Sequence, residues 1–426
     1  MRSQLLKLWK RSQPALRIPR LWVAFLLRTV LRRTTFIAIT GSVGKTTATR
    51  CLAAILSREA PTQWTRINRN TMPGITETIA FCNPFRTRYA IFEVGAGKPG
   101  AIARAARLIR PDIAVVLSVF LEHRALFRTL DAVAREKARL FEGQAPGGTA
   151  VINADDPRVR AMNVPRGCNR IHFGQAADCG VRCEDVVSAW PRLLGFTAVV
   201  HGERQQIRTR LLGEHWTGSL LAAIAVADRL GVPLNRIARA IAQMPPYPGR
   251  MQVVRLPGGA VVIRDEYKGS PHTVQAAFAE LRKARAARKF LVFCDLSESR
   301  LSPRRRPEMI GREAARVADY VIFIGEGAPH GVNGARKAGL AEARTLAFGT
   351  YVEAARHLRP MLEHGDVVLL KADRNQQLPR LLYSLVGEVR CTIATCKRRM
   401  VCDDCDRFGN PELVRQVNDQ LTVRLD

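Results

Sequence analysis

The sequence predicts an α/β protein with two successive parallel-sheet units, and three observations carry that prediction. Short apolar strands alternate with helical stretches from Phe36 onward. A glycine-rich loop separates the first strand from the first helix of that series. The Pro-dense break Met244–Arg250 interrupts the alternation, which then resumes for about 140 residues. Strands alternating with helices favour a parallel sheet, because each crossover needs a helix to return the chain.

The chain has 426 residues, 47% of them hydrophobic and 24% charged. A chain of this length and composition buries sizeable cores, which argues against disorder and against a disulfide-stapled miniprotein. The longest apolar run near the start, Leu21–Leu27, stops at Arg28. It falls far short of the roughly 20 residues of a membrane span, and no small-residue cleavage site follows it. The ten cysteines are therefore expected as reduced thiols in a cytosol.

The formal charge is +30, from 67 basic and 37 acidic residues. Such a field favours polyanions, although an arginine-dominated surplus also arises simply from a GC-rich genome. No Asp or Glu precedes Glu59. The segment 1–34 interleaves Leu5, Leu6, Leu8, Trp9, Trp22 and Phe25 with Lys7, Lys10, Arg11, Arg28, Arg32 and Arg33. It reads either as a basic amphipathic segment on an anionic membrane surface or as a helix packed on the protein with its basic side solvated. Nucleic acid is not expected: charge alone points to it, and no aromatic-interleaved basic platform or reader motif supports it.

Each later element follows from its own pattern. Phe36–Ile39 is a buried strand, then comes the loop Thr40-Gly41-Ser42-Val43-Gly44-Lys45-Thr46-Thr47, then a helix over Ala48–Leu56. Backbone N–H groups of such a loop, backed by a helix N-terminus, cradle phosphate oxygens. Lys45 adds charge near the β- and γ-phosphates, and the Thr46 hydroxyl suits Mg²⁺. Strands are expected at Tyr89–Val94, Ile113–Val119 and Gly148–Asn153, with a helix over Leu130–Phe141. Residues 167–212 read as strand and turn, and helices follow at His215–Leu230 and Leu234–Gln243. Past the break come strands at Ala260–Ile263, Phe290–Phe293, Tyr320–Ile324 and Val367–Leu370. Helices are expected between them at Thr273–Ala286, Pro307–Val317 and Val352–Leu358.

The shortened loop T-G-S-V-G-K-T-T resembles that of the Mur ligase family, ATP-dependent enzymes that join a carboxylate to an amine. Further matches recur in order. Phe92-Glu93-Val94-Gly95 is similar to the family's strand-end Glu, and Pro111–Val116 leads to His123, similar to its magnesium-binding His. Lys137, fourteen residues later, resembles a lysine carbamylated in many members. Asn153-Ala154-Asp155-Asp156, Gly213-Glu214-His215, Gly249-Arg250, the Asp265-Glu266-Tyr267 stretch with Pro271, and Lys371 with Arg374 complete the series. The last two resemble the branch that adds D-Ala-D-Ala.

The resemblance implies a P-loop-type central Mur ligase domain with a parallel sheet, plus a Rossmann-like C-terminal domain. The expected divisions are 1–34, a central ATP-binding domain 35–247, a C-terminal ligase domain 248–388 and a Cys-containing basic tail 389–426. It implies ATP binding by Gly41, Ser42, Val43, Gly44, Lys45, Thr46, Thr47, His215, Arg250 and Asp265, and Mg²⁺ at Thr46, Glu93, His123 and Lys137. Catalytic roles fall to Lys45, His123 and Lys137, and contact with the acceptor to Tyr267, Lys371 and Arg374. The reaction would pass through an acyl phosphate, in cell-wall or related polymer synthesis, with small-molecule or polymer carboxylates and amines as substrates. The family's N-terminal UDP-binding domain is expected to be lacking. A poly-γ-glutamate-type ligase and a nucleotide-binding regulator without ligase activity remain as alternatives. Independently of the family, Cys391, Cys396, Cys402 and Cys405 are spaced as candidate Zn²⁺ ligands, with free thiols as the alternative. The expected location is cytoplasmic, and peripheral at the inner face of the membrane where the membrane-surface reading of residues 1–34 holds.

Overall fold

The computed structural model describes residues 17–66, 69–121, 127–296, 301–391, 393, 396 and 402–423. They fall into two compact units, the second taking in residues 245 onward together with 187–195 and 209–215.

Unit 1 opens on α1 (Arg17–Val30) and then alternates β1 (Thr35–Thr40), α2 (Lys45–Leu56), β2 (Thr62–Trp64), α3 (Met72–Ala80), β3 (Tyr89–Glu93), α4 (Ala101–Ile109), β4 (Ile113–Val116), α5 (Leu130–Glu142), β5 (Thr149–Asn153) and α6 (Pro157–Arg160). Four strands follow, β6 (Asn169–Gly174), β7 (Val181–Ala189), β8 (Arg192–Val200) and β9 (Glu203–Arg208), and then α7 (Thr217–Arg229) and α8 (Leu234–Ala242). The sheet order is β2-β3-β1-β4-β5-β6-β7-β8-β9. The pairs from β2 through to β7 are parallel. The central strands β1, β3 and β4 are buried almost throughout, which is why their sequences are apolar runs rather than alternations. Phe36 and Phe92 stack across the β1–β3 pair at 5.6 Å. Asp112 fixes the start of β1 by accepting from Phe36 N at 2.7 Å.

Local departures from the sequence expectation cluster at the loop ends. The helix after the phosphate-type loop starts at Lys45, so Lys45, Thr46 and Thr47 form its first turn. β4 stops at Val116 because 117–120 leaves the sheet to bond the loop, as described below. The helix expected from His215 begins at Thr217, after a 3-10 turn over Glu214–Trp216. Helices α3 and α4 were not foreseen: the first lies in a stretch of Thr, Pro and Gly, and the second is a short Ala/Arg run.

Unit 2 contains β10 (Gln252–Arg255), β11 (Val261–Asp265), α9 (Pro271–Lys283), β12 (Lys289–Phe293), α10 (Arg305–Ala314), β13 (Tyr320–Ile324), α11 (Ala328–Lys337), β14 (Thr345–Phe348), α12 (Tyr351–Met361), β15 (Val367–Lys371), α13 (Pro379–Val386) and α14 (Pro411–Arg415). Its sheet order is β10-β11-β15-β12-β13-β14, parallel except for the β10–β11 hairpin. Helices α10 and α11 approach closely through glycine. A Cβ on Gly311 would lie 2.0 Å from Gly331 O, so any side chain there would push the pair apart.

Residues 402–423 are not an appended polar tail. Cys402, Phe408, Leu413 and Val417 join the buried cluster of this unit, and Thr422 bridges to Val254 on β10. Burial of apolar side chains, at roughly 25 cal/mol per Å², is what holds the segment down.

Candidate active site

The loop 41–44 is fixed from below by the segment that leaves β4. Ser42 N donates to Ser118 O at 2.9 Å, and Val43 N to Ser118 Oγ at 3.2 Å. Ser42 Oγ donates to Phe120 O at 2.9 Å and accepts from Phe120 N at 2.8 Å. Gly44 precedes α2 with φ 83. A Cβ there would stand 2.3 Å from Ser219 Oγ on α7, so glycine is required both for the left-handed backbone and for the close approach. Ser219 Oγ also donates to Gly44 O at 3.3 Å. The first N–H groups of α2, which have no intrahelical partner, are therefore held in one place, a standing site for anionic oxygen. Lys45 Nζ lies over the loop and donates to Gly41 O at 2.5 Å and Ser42 O at 2.9 Å.

Beside this loop, β3 ends on Glu93, 4% exposed. Its carboxylate accepts from Thr46 Oγ1 at 3.0 Å and from Asn70 Nδ2 at 2.9 Å. A carboxylate and a hydroxyl, both oxygen donors, are the chemistry Mg²⁺ prefers, and that ion keeps several waters or phosphate oxygens of its own. The residues present therefore fit magnesium. No group of three or more His, Cys, Asp or Glu placed to hold a metal occurs among the described residues. His123 lies outside them. Lys137 sits on α5 and is 3% exposed, so it is not a solvated helix lysine. Its neighbour Glu136, also buried, accepts from Gly100 N at 2.9 Å and Ile102 N at 3.0 Å and so caps α4. Thr47 is half-buried in the first turn of α2.

Asn70, Ser118, Ser219 and Glu136 were missed by sequence reasoning. Ser118 and Ser219 belong to none of the motifs read from the sequence, yet both hold the loop. The available signal was that each is a small hydroxyl residue beside a motif.

In unit 2, Asp265, Lys371 and Tyr267 come together and His215 belongs to the same unit. Lys371 is fully buried and donates to Asp265 Oδ2 at 2.5 Å, to Lys268 O at 2.7 Å and to Thr273 Oγ1 at 3.3 Å. Burial pushes the Lys371 ammonium below its usual range and the Asp265 carboxyl above its own, each opposed by the other's charge. The Arg250 guanidinium stands 4.5 Å over the Tyr267 ring, which meets Tyr247 edge-on at 5.3 Å. Arg374 is half-buried in a 3-10 turn. His215 is exposed.

A second charge cluster was not foreseen. Arg264, 1% exposed, pairs with Glu266 at 2.7 Å and with both oxygens of Asp403 at 3.0 Å. Gln252, Asn418 and Tyr383 complete it, Tyr383 OH donating to Asp403 Oδ1 at 2.7 Å.

The zinc expectation for the cysteines is corrected here. All four are described, and they form no metal-holding group. Cys402 Sγ instead donates to Gln377 Oε1 at 2.9 Å, and burial pushes that thiol up to about 11. Cys391 is buried in the apolar cluster, while Cys405 lies beside Asp406. Packing of 402–423 onto the sheet set these positions, and ligand spacing alone did not anticipate it.

Two family models match the chain: the Mur ligase middle domain over residues 39–227 and the Mur ligase, glutamate ligase domain over residues 249–374. The chain is 31% identical over 383 residues to the UDP-N-acetylmuramoyl-tripeptide–D-alanyl-D-alanine ligase of Mycobacterium bovis, covering 84% of this chain and 74% of that one. It is 27% identical to the ligase of the same name from Treponema pallidum, over 81% of this chain and 73% of that one. Among solved structures it is similar to MurF from Acinetobacter baumannii, with TM-score 0.78, 25% identity, and coverage of 87% and 80%. It shares the fold of the MurF ligase from Thermotoga maritima in complex with ADP, with TM-score 0.72, 24% identity, and coverage of 85% and 82%. With both ligase domains matched in order along one chain, on a fold that carries a phosphate-type loop, this protein belongs to the Mur ligase family of ATP-dependent amide-forming ligases.

Proposed function

We propose that the chain couples a peptide-type carboxylate to an amine in the manner of the D-alanyl-D-alanine-adding branch, in cell-wall or related polymer synthesis. The observation that carries this is the Thr46–Glu93 pair standing directly against a rigid phosphate-type loop. ATP lies with its β- and γ-phosphates on the 41–46 backbone. Lys45 exchanges its loop carbonyls for phosphate oxygens, which brings positive charge to the transferring group. Thr46 and Glu93, joined in the family resemblance by His123 and a carbamylated Lys137, would hold magnesium, which would supply charge neutralisation. A substrate carboxylate oxygen attacks the γ-phosphorus and ADP leaves. The amine then attacks the acyl carbon of the mixed anhydride, the C–O bond breaks, inorganic phosphate departs and the amine loses a proton to complete the amide.

In this reading His215, Arg250 and Asp265 serve the nucleotide, while Tyr267, Lys371 and Arg374 serve the amine-bearing acceptor. Lys371 acts there by holding the 265–273 loop, since its own ammonium is enclosed. ADP release on supply of a UDP-linked muramoyl tripeptide, ATP and D-alanyl-D-alanine tests the reading. Release that depends on both substrates supports it, and release with neither of them added, or none at all across a panel of soluble and lipid-linked carboxylates and dipeptides, overturns it.

We further place residues 1–34 at an anionic membrane surface, which makes the protein cytoplasmic and peripheral. Among the described residues no helix is long and apolar enough to cross a membrane. The support is that residues 1–34 carry nine basic residues and no acidic one, a basic residue near such a surface being worth about 1 kcal/mol. Flotation with phosphatidylcholine vesicles, with and without phosphatidylserine, tests it. Equal recovery of the full chain and of a chain lacking residues 1–34 on anionic vesicles counts against it.

A further inference from the structure

Helix α1 is turned the opposite way from an ordinary surface helix. Its Ala24 is fully buried, whereas Trp22 is 63%, Phe25 50%, Leu26 59% and Val30 59% exposed. One of its arginines, in contrast, reaches inward. Arg28 Nε donates to Ile109 O at 2.7 Å, Nη2 to Arg110 O at 3.0 Å, and the guanidinium stacks 3.8 Å from the Phe36 ring. A helix fixed by its arginine and presenting its aromatic residues outward has an apolar face that calls for cover.

That face forms one wall of a cavity of about 940 Å³ between α1, α3 and α4. Trp22 and Phe25 line it from α1, with Met72, Ile75, Ala105 and Leu108 opposite. Its polar lining is one-signed: Arg20, Lys98, Arg104 and Arg107 line it and no Asp or Glu does. Lys98, Arg104 and Arg107 are exposed. One end reaches Asn70 and Gly95, and Asn70 is the residue that holds Glu93 beside the phosphate-type loop.

An apolar trough edged by cations fits a hydrocarbon chain that carries an anion. Arginine favours phosphate among anions, because its planar fork matches two oxygens at once. A second copy of the chain fits poorly. An isologous contact would bring this cationic edge against itself with no acidic partner. Nucleic acid fits poorly as well: the apolar floor of Met72, Ile75, Ala105 and Leu108 offers no hydrogen-bond partner to a base.

We propose that this groove binds the hydrocarbon chain of a phosphate-bearing lipid, so that one of the substrates joined at the Glu93 site is presented on a lipid carrier. The proposal rests on the ligase reading only for the cargo, and the groove itself is tested without turnover. The probe is farnesyl phosphate, titrated into the full-length protein and followed by calorimetry, with farnesol and inorganic phosphate as controls. Saturable binding of farnesyl phosphate is expected, at least tenfold tighter than either control. Ala101→Trp, which fills the groove, and the pair Arg104→Glu with Arg107→Glu are each expected to weaken it at least tenfold. A fluorescent ATP analogue should bind these variants as it binds the parent, which shows that unit 1 is folded. Equal affinity of the variants, or of farnesol, overturns the proposal. So does self-association of the lipid-free protein that Trp22→Asp abolishes, because the face is then an interface between copies. A protein that releases ADP with soluble substrates but ignores farnesyl phosphate loses the lipid site and keeps the ligase reading. Lipid binding without ADP release from either soluble or lipid-linked substrates does the reverse.

Discussion

The loop at Gly41–Thr46 and the buried charges around Arg264 both gather polar groups at the end of a parallel strand, yet they are put to opposite uses. In the loop the polar groups lean on weak, exchangeable partners. Lys45 rests on two backbone carbonyls, and the N-terminal turn of α2 has donors left over by the geometry of a helix. At Arg264 the polar groups are spent on one another. The guanidinium meets two carboxylates and two side-chain amides, lies over the Tyr383 ring and is almost wholly buried. Burial raises the Glu266 pKa despite that pairing. Burial opposes the charge on Asp403, but Arg264 and the hydrogen bonds from Tyr383 and Asn418 together hold its carboxyl below the usual range. A strand-end cluster of charge is thus a ligand site only where the partners can be traded for those of a ligand. Lys371 belongs with Arg264 by this measure: it is enclosed and triply bonded.

Breaking the exchangeable side should cost activity and leave stability alone. Lys45→Ala is expected to reduce ADP release roughly 10³-fold or more with an unchanged melting temperature, and parental turnover in this variant would remove the loop from the chemistry. Lys137→Ala is expected to lower ADP release by about 10²-fold or more. Partial rescue by added acetate would identify the missing group as a carbamate, and near-parental activity at saturating magnesium would make the buried lysine a packing residue.

Breaking the committed side should do the reverse. Arg264→Met leaves Glu266 and Asp403 buried without their cation and should cost about 3–5 kcal/mol in urea unfolding. A loss under 1 kcal/mol would mean that water reaches the cluster. Asp403→Asn is milder, at about 1–3 kcal/mol near neutral pH. The sign of its pH dependence follows from the depressed folded pKa. The carboxylate contributes fully above the unfolded value of 3.8 and loses its contribution as the pH falls through the lower folded value. Parent and variant stabilities should therefore converge in acid, and a gap that stays constant down to pH 3 would contradict the pairing. The smallest effect is expected for Cys402→Ser with Cys405→Ser: metal analysis of parent and variant should give the same zinc content, well below one per chain.

Much of the first unit was legible because its signals are local. A buried strand, a glycine turn and a lysine-threonine helix start sit within a dozen residues, so Phe36–Leu56 could be read directly. Strands such as Tyr89–Glu93 and Val367–Lys371 announced themselves as apolar runs, since parallel strands are covered on both faces. Helices α3 and α11 escaped, because Thr-, Pro- and Gly-rich stretches have weak propensity and become helical only against a sheet, whereas α4 is a run of strong helix formers that was legible and overlooked.

By itself the sequence determined the α/β alternation, the phosphate-type loop and the order of family motifs, all of which depend on residues near one another in the chain. Only the tertiary structure decided that Ser118 and Ser219 hold the loop, that Asn70 steadies Glu93, and that α1 turns its aromatic residues outward. It also decided that Asp403, 139 residues from Arg264, answers that arginine rather than flanking a zinc site. Those pairings join positions far apart in the chain. Their energies depend on burial and on the company each charge keeps, which no local spacing records.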